Sequence, residues 1–343
     1  MFVRRALALS AAALLALTTA ACGQDDGEEP LSDDALVIYS GRNENLVGPL
    51  LEKLEKETGI DVQVRYGGSS ELAAQLLEEG DGTKADLFFS QDAGALGALA
   101  KEGRLETLPD ATLAEVEDGF ADPNGHWVAT SARARVIAFD PAQAPEVEEM
   151  TTVDAVLDPK YKGRIGYAPT NASFQSFVTA LRVSKGEEGA KEWLEKFKAN
   201  EPKAYDNNIL VLDAVDSGQV SLGLINHYYW YERVAEKGAD AVKARIHFLN
   251  SDDPGALVNV AGVGILAGSP QKDAAAKAVE YLLSTEGQQY FADETAEYPV
   301  VPGVTSTKHD LVPLDDLERS SVDLNSLDSL DQTLALLDEV GLT

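Results

Sequence analysis

The stretch ALVIYSGRNENLVGPLLEKLEKETGIDVQVRYGGSSELAAQLLEEG, residues 35–80, alternates short apolar runs with amphipathic ones. Ala35–Tyr39 is a run of strand formers too short for a helix, and it ends at Ser40-Gly41. Leu46–Thr58 then places Leu46, Leu50, Leu51 and Leu54 on one helical face. Asp61–Tyr66 is the next expected strand and Ser70–Glu79 the next helix, with Ser69 or Ser70 as its cap. Moving outward, Asp86–Ser90 and Gly94–Glu102 repeat the pair. This βαβαβα rhythm predicts a parallel sheet with helices on both faces.

The rhythm breaks at Trp127–Thr130 and Arg135–Phe139, which read as strands with no long helix between them, as expected of a crossing between lobes. A second α/β block follows: strands at Arg164–Tyr167 and Val220–Ile225, helices at Ser173–Ser184, Gly189–Lys198, Ile209–Ser217 and Tyr229–Lys237. Residues 256–267 are strand-like again and supply a return crossing. Helices are expected at Lys272–Ser284, Glu286–Ala292 and Leu327–Val340. The expected fold class is α/β, with two lobes, hinge strands and a cleft between them. One lobe takes residues 35–133 plus about 259–309, the other 134–258 plus about 310–343.

Arg4 and Arg5 precede an apolar run, Ala6–Ala21, and then Cys22, the only cysteine. The run falls short of the ~20 residues that span a bilayer and reads as an export signal, residues 1–21. Cys22 directly after Thr19-Ala20-Ala21 matches a lipoprotein processing box, so lipidation at Cys22 is expected, with an extracytoplasmic protein held to the cell membrane by its lipid alone. Residues 22–34 are acidic and aperiodic, an expected flexible tether. Without Arg4 and Arg5 the formal charge moves from -30 to -32. Such an excess of acid repels phosphate backbones and argues against nucleic acid as a partner.

Ligands of open α/β sheets bind beyond the carboxyl ends of the strands. Those positions hold Arg42 and Asn43; Gln91 and Asp92; Asn171, Ala172 and Ser173; and Asn226-His227-Tyr228-Tyr229-Trp230-Tyr231. Three of the 11 tyrosines thus fall within four residues at a strand-to-helix turn. Aromatic packing at a helix start explains such a cluster, and so does a set of phenols facing a cleft. A phenol titrates near ~10, so it binds as phenolate at neutral pH only beside a strong Lewis acid such as ferric iron. A sugar site would instead stack on the same rings. Asn171-Ala172-Ser173 at a helix start offers amides to an anion, and Asn171 or Ser173 also suits plain capping. No GxSxG, HExxH, P-loop or dinucleotide-binding glycine pattern occurs, and the four histidines have no metal spacing, so no catalytic residues are expected and the chain reads as a non-enzyme.

Ile38-Tyr39-Ser40-Gly41, Ala85-Asp86-Leu87-Phe88-Phe89-Ser90, Arg133-Ala134-Arg135, Gly163-Arg164-Ile165-Gly166-Tyr167, Asn226-His227-Tyr228-Tyr229-Trp230, Asp253-Pro254-Gly255-Ala256-Leu257 and Glu297-Tyr298-Pro299 together resemble the bacterial ferric-ion-binding proteins, the substrate-binding components of iron(III) ABC transporters. The likeness runs from about residue 36 to 305. It implies a type II periplasmic-binding-protein fold that closes on Fe(III), held by phenolates at the positions of Tyr228 and Tyr229. A synergistic phosphate or carbonate would sit at Asn171, Ala172 and Ser173, with Asn208 and Asn226 reaching in. The implied partners are an ABC-transporter permease and its ATPase, with the binding protein a monomer. Many members carry a His where this chain has Asn43 and a Glu where it has Gln91. Neither amide is a good anionic ligand for a trivalent ion. Asp92 taking over as ligand, water and anion filling those positions, or a small organic solute in place of iron (a sugar phosphate, polyamine or thiamine-like cation) all stay open. Arg42 and Arg133 are further candidates for holding carbonate or a charged chelate. A secreted enzyme is a third, more distant alternative.

Overall fold

A computed structural model describes residues 35–249 and 252–343, which lie within one compact unit, Leu31–Thr343. The signal segment, Cys22 and the tether lie outside the described residues. The first half follows the sequence closely: β1 (Leu36–Ser40), α1 (Glu44–Thr58), β2 (Val62–Tyr66), α2 (Ser69–Glu79), β3 (Leu87–Ser90), α3 (Ala93–Lys101) and a single turn, α4 (Asp110–Leu113). α1 begins two residues earlier than expected because Asn43 caps it, its side chain accepting from the Asn45 amide at 2.9 Å. Neither Ser69 nor Ser70 caps α2. Gly68 holds that position, and the Ser69 hydroxyl instead accepts from the Gln91 amide at 2.8 Å, tying two loops together.

Trp127–Thr130 and Arg135–Phe139 are not separate strands. They are the ends of one twelve-residue strand, β4 (Val128–Phe139), buried throughout. Its middle, Ser131-Ala132-Arg133-Ala134-Arg135, alternates polar and apolar residues but holds no β-branched or aromatic strand former. β5 (Ile165–Tyr167), α5 (Ala172–Ala199), β6 (Lys203–Ala204), α6 (Asn208–Asp216), β7 (Leu222–Asn226), α7 (Tyr228–Lys237) and β8 (Arg245–His247) follow. The two helices expected within 173–198 are the arms of α5, broken at Gly186, whose φ of 72° only glycine adopts without strain. β9 (Val258–Ile265), α8 (Lys272–Leu283), α9 (Thr285–Glu294) and α10 (Leu330–Val340) complete the chain.

The strands form a mixed sheet in the order β2-β1-β3-β9-β4-β7-β5-β6, with β8 also pairing β4. Pairing is parallel on each flank (β2-β1-β3 and β7-β5-β6), as the rhythm predicts, but antiparallel through the middle. The two crossings cause this. β9 returns against both β3 and the first half of β4, Val128–Ala134, while Arg135–Phe139 pairs with β7. One strand therefore serves two cores. Leu50, Leu54, Phe88 and Val263 lie in the first; Phe139, Phe174, Phe177, Trp193 and Leu224 lie in the second. This is the two-lobed α/β fold with a cleft spanned by hinge strands. Among the described residues no helix is long and apolar enough to cross a membrane.

Gly262 marks how tightly the crossing is packed: a Cβ there would stand 2.7 Å from the Val128 carbonyl oxygen and 2.9 Å from a Leu96 methyl. The carbonyl belongs to β4 and cannot rotate away. Gly262→Ala is expected to destabilise the fold by about 1–3 kcal/mol, read as a lower midpoint in chemical denaturation.

Candidate functional site

Four loops converge between the two cores, each leaving the carboxyl end of a strand: β1 to α1, β3 to α3, β5 to α5 and β7 to α7. They line a cavity of about 610 Å³ whose walls include Arg42, Asn43, Ser70, Gln91, Asn171, Ala172, Gln175 and Tyr229. Arg42, Asn43, Gln91, Asn171, Ala172 and Tyr229, half of the twelve cleft candidates read from the sequence, thus meet at one place.

Tyr229 faces the cavity and Tyr228 lies beside it, their ring centroids 4.1 Å apart. Both are buried, at 6% and 2% exposure. Burial, reinforced by Tyr229, pushes the Tyr228 phenol well above its ordinary value, with Arg133 opposing. Burial likewise raises Tyr229. Two neutral phenols side by side are the resting state of the pair.

Asn171 caps α5: its side-chain oxygen accepts from the Ser173 amide at 3.0 Å and from the Ser173 hydroxyl at 2.7 Å. The Asn208 side chain donates to that hydroxyl at 3.1 Å. Capping and a place at the cavity hold together for Asn171; Ser173 is capped and does not cap. Asn226 ends β7 opposite Arg135 and stays buried outside the cavity wall. Gln91 lines the cavity and comes within 3.5 Å of the Asn171 side-chain oxygen. Asn43 lines it while capping α1.

Asp92 is absent from the wall. One of its oxygens caps α3, accepting from the Ala95 amide at 3.0 Å, and burial raises its pKa. Arg42 is no surface ion pair: at 3% exposure it donates to both oxygens of Glu297 at 2.8 Å. Arg133 lies 3.6 Å from the same carboxylate. Burial alone would raise the Glu297 carboxyl, but Arg42 and Arg133 outweigh it and hold the pKa below its ordinary value.

Sequence reasoning passed over three charged neighbours. Glu297 was legible only as part of a Glu-Tyr-Pro landmark, because its partners lie far away in the chain. Glu232 follows Tyr228 by four residues and so shares its helix face, a spacing visible in the sequence. One of its oxygens is buried without a hydrogen-bond partner, and burial, aided by Glu297, pushes its carboxyl up to about 8 against the pull of Arg42. Arg135 is buried with no carboxylate beside it, and burial lowers its guanidinium to about 9. Among the described residues no group of three or more His, Cys, Asp or Glu could hold a metal ion, so any metal here must rely on other oxygen donors.

Residues 82–322 match the family described as bacterial extracellular solute-binding protein. The major ferric iron-binding protein of Neisseria meningitidis serogroup B is 36% identical over 338 residues, 98% of either chain. The Fe(3+)-binding periplasmic protein of Serratia marcescens is 35% identical over 312 residues, 91% of either chain. The crystal structure of iron-bound HitA from Pseudomonas aeruginosa superposes with a TM-score of 0.84 at 35% identity, covering 90% of this chain and 99% of that one.

Two outcomes follow from the charged residues. Glu297→Gln leaves two buried guanidiniums without their counter-charge and is expected to cost about 3–5 kcal/mol in urea denaturation at neutral pH. The folded-state pKa of Glu297 is depressed, so its contribution is complete above the unfolded value of about 4.3 and is lost as pH falls through the folded one. The deficit of the variant should therefore shrink toward about pH 3, and a constant deficit would contradict the pairing. Glu232 has the opposite sign. Its raised pKa makes the metal-free protein lose stability as pH climbs from about 4.3 toward about 8. Glu232→Gln should remove that loss, so its thermal midpoint gains on wild type across this range.

Proposed function

The chain belongs to the ferric-ion-binding branch of the bacterial extracellular solute-binding proteins, and on that premise we propose that it captures ferric ion and delivers it to an ABC-transporter permease. Ferric ion is the cargo; no covalent chemistry is involved. The observation that carries this reading is the pair of adjacent buried tyrosines, 4.1 Å apart, at a cavity between two cores. Phenols raised by burial give up their protons only to a strong Lewis acid, which a trivalent iron is and a sugar is not. Tyr228 and Tyr229 are the phenolate ligands in this reading. Phosphate or carbonate sits at Asn171, Ala172 and Ser173, with Asn208 and Asn226 supporting that turn.

Arg42 and Arg133, engaged with Glu297, set the local field and do not hold the anion directly. Asp92 caps α3 with one oxygen and stands outside the cavity wall. Asn43 and Gln91 face the cargo as neutral donors, leaving the rest of the coordination sphere to the anion and water. We assign the lobes to residues 35–133 with 259–309, and to 134–258 with the C-terminal helix α10. The protein works as a monomer tethered outside the cell membrane through acylated Cys22, and the permease with its ATPase receives the iron. Ligand contacts present only in the closed arrangement drive closure. Because iron displaces phenolic protons, affinity falls as pH drops.

The test is a ferric citrate titration of residues 23–343, with excess removed and iron assayed beside a visible spectrum. Wild type should retain stoichiometric iron and show a phenolate-to-iron charge-transfer band. Tyr228→Phe combined with Tyr229→Phe keeps the ring packing and should lose both. A colourless wild type would hand the cavity to an organic solute, and a double variant that kept iron would refute the phenolate pair.

A further inference from the structure

Five arginines are buried among the described residues. Arg42 and Arg133 face Glu297, Arg182 faces Glu187 and Arg233 faces Asp213. Arg135 faces no carboxylate. It is 4% exposed, its Nη1 donates to the Ser173 carbonyl at 3.2 Å, and its Nε and Nη2 have no hydrogen-bond partner. Its guanidinium lies 4.8 Å over the Phe177 ring and 5.7 Å from that of Phe174. These ring contacts soften the burial of a cation without neutralising it.

The placement leaves a buried cation without a counter-charge. The first turn of a helix already carries the positive end of the backbone dipole, where anions and not cations are favoured. Here a buried guanidinium, held on the Ser173 carbonyl, lies beside the N-terminal turn of α5, where the helix end is already positive. An anion on the Asn171-Ala172-Ser173 turn would be the missing counter-charge for both the dipole and Arg135.

We propose that Arg135 is a positioning residue of the anion seat, fixing the α5 turn through Ser173 and adding the positive charge that makes the seat prefer a dianion to a monoanion. This rests on the anion seat of the proposed function. Arg135 acts through the turn; it does not line the cavity.

Mature protein loaded with ferric ion is titrated at about pH 8 with inorganic phosphate, there mainly a dianion, and separately with acetate, following the charge-transfer band. Arg135→Met should raise the half-saturating phosphate concentration by about tenfold or more and that of acetate far less, since the lost interaction scales with ligand charge. Arg135→Lys, which keeps the charge, should recover most of the phosphate preference. Equal weakening for both anions would reduce Arg135 to packing and overturn the proposal, as would an unchanged phosphate titration. A wild type that binds phosphate no better than acetate overturns it without any variant, which decides the matter should Arg135→Met fail to melt cooperatively. A wild type with no iron band at all defeats the ferric reading instead, so the two failures are distinguishable.

Discussion

Glu297 is a single carboxylate answering two buried guanidiniums. Arg42 arrives from the loop after β1 and Arg133 from the middle of β4, while the Ser131 hydroxyl donates to the same group at 2.8 Å. Removing any charged group from water is expensive, and a buried pair repays that cost only with good geometry and full hydrogen bonding. Here Arg42 Nη2 donating to both Glu297 oxygens, together with the extra hydroxyl, meets those terms for Arg42, while Arg133 keeps two nitrogens without partners. The surplus is positive charge, buried next to two tyrosines, inside a protein whose formal charge is -30. The surface repels anions in bulk, while Arg42 and Arg133 set a local positive field that favours a phenolate at Tyr228.

The same carboxylate anchors the segment that ties the lobes together. Glu297 precedes Tyr298, which bridges to Ala132 of β4 and stacks on His227 at 4.6 Å, just ahead of the two tyrosines. His227 accepts from the Ala134 amide at 3.2 Å and is buried completely, with burial lowering its pKa to about 4. A neutral histidine is therefore a structural spacer between β4 and α7, not a titrating switch near neutrality. The point where β4 passes from one core to the other is held by neutral stacking on one side and an ion cluster on the other. The β4–β9 pairing also shifts register between Ala129 and Ser131, where the Gln288 side chain donates to the Thr130 carbonyl at 2.8 Å. Bulges of this kind re-aim a strand without breaking it.

How much of this was legible in the sequence depended on the range of each interaction. Periods of two and 3.6 residues are local, so β1 through α3 read almost to the residue. β4 misled because its middle, Ser131–Arg135, alternates but is built of small and charged residues that are not typical strand formers, although every one of them is buried. Tyr228, Tyr229, Asn171 and Gln91 were legible because ligand loops follow strand ends, a topological rule that needs only element order. The partners of Arg42 were not, since Glu297 lies 255 residues away and 58 acids offer no way to choose among them. Asp92 was a reasonable donor by charge, but it opens α3, capping the helix with one oxygen, and lies outside the cavity wall. Glu232 sat in plain view four residues beyond Tyr228, where a helical-face argument finds it.

The neutral amides at Asn43 and Gln91 follow from the same electrostatics. Across the cavity, the Ser70 hydroxyl on α2 hydrogen-bonds Gln175 on α5, and Gln91 approaches Asn171. These contacts join elements of the two cores, so they form only when the lobes are together. A carboxylate at position 91 would face the Asn171 side-chain oxygen, acceptor against acceptor, and would have to lose its water before any cation was present. An amide carries a donor to that oxygen and no charge to desolvate, which makes approach of the lobes cheaper in the empty protein. The cost is one anionic donor fewer. In the proposed ferric site the negative charge comes from one lobe, from the phenols and the anion held on the α5 turn, and the other lobe serves mainly to close over them.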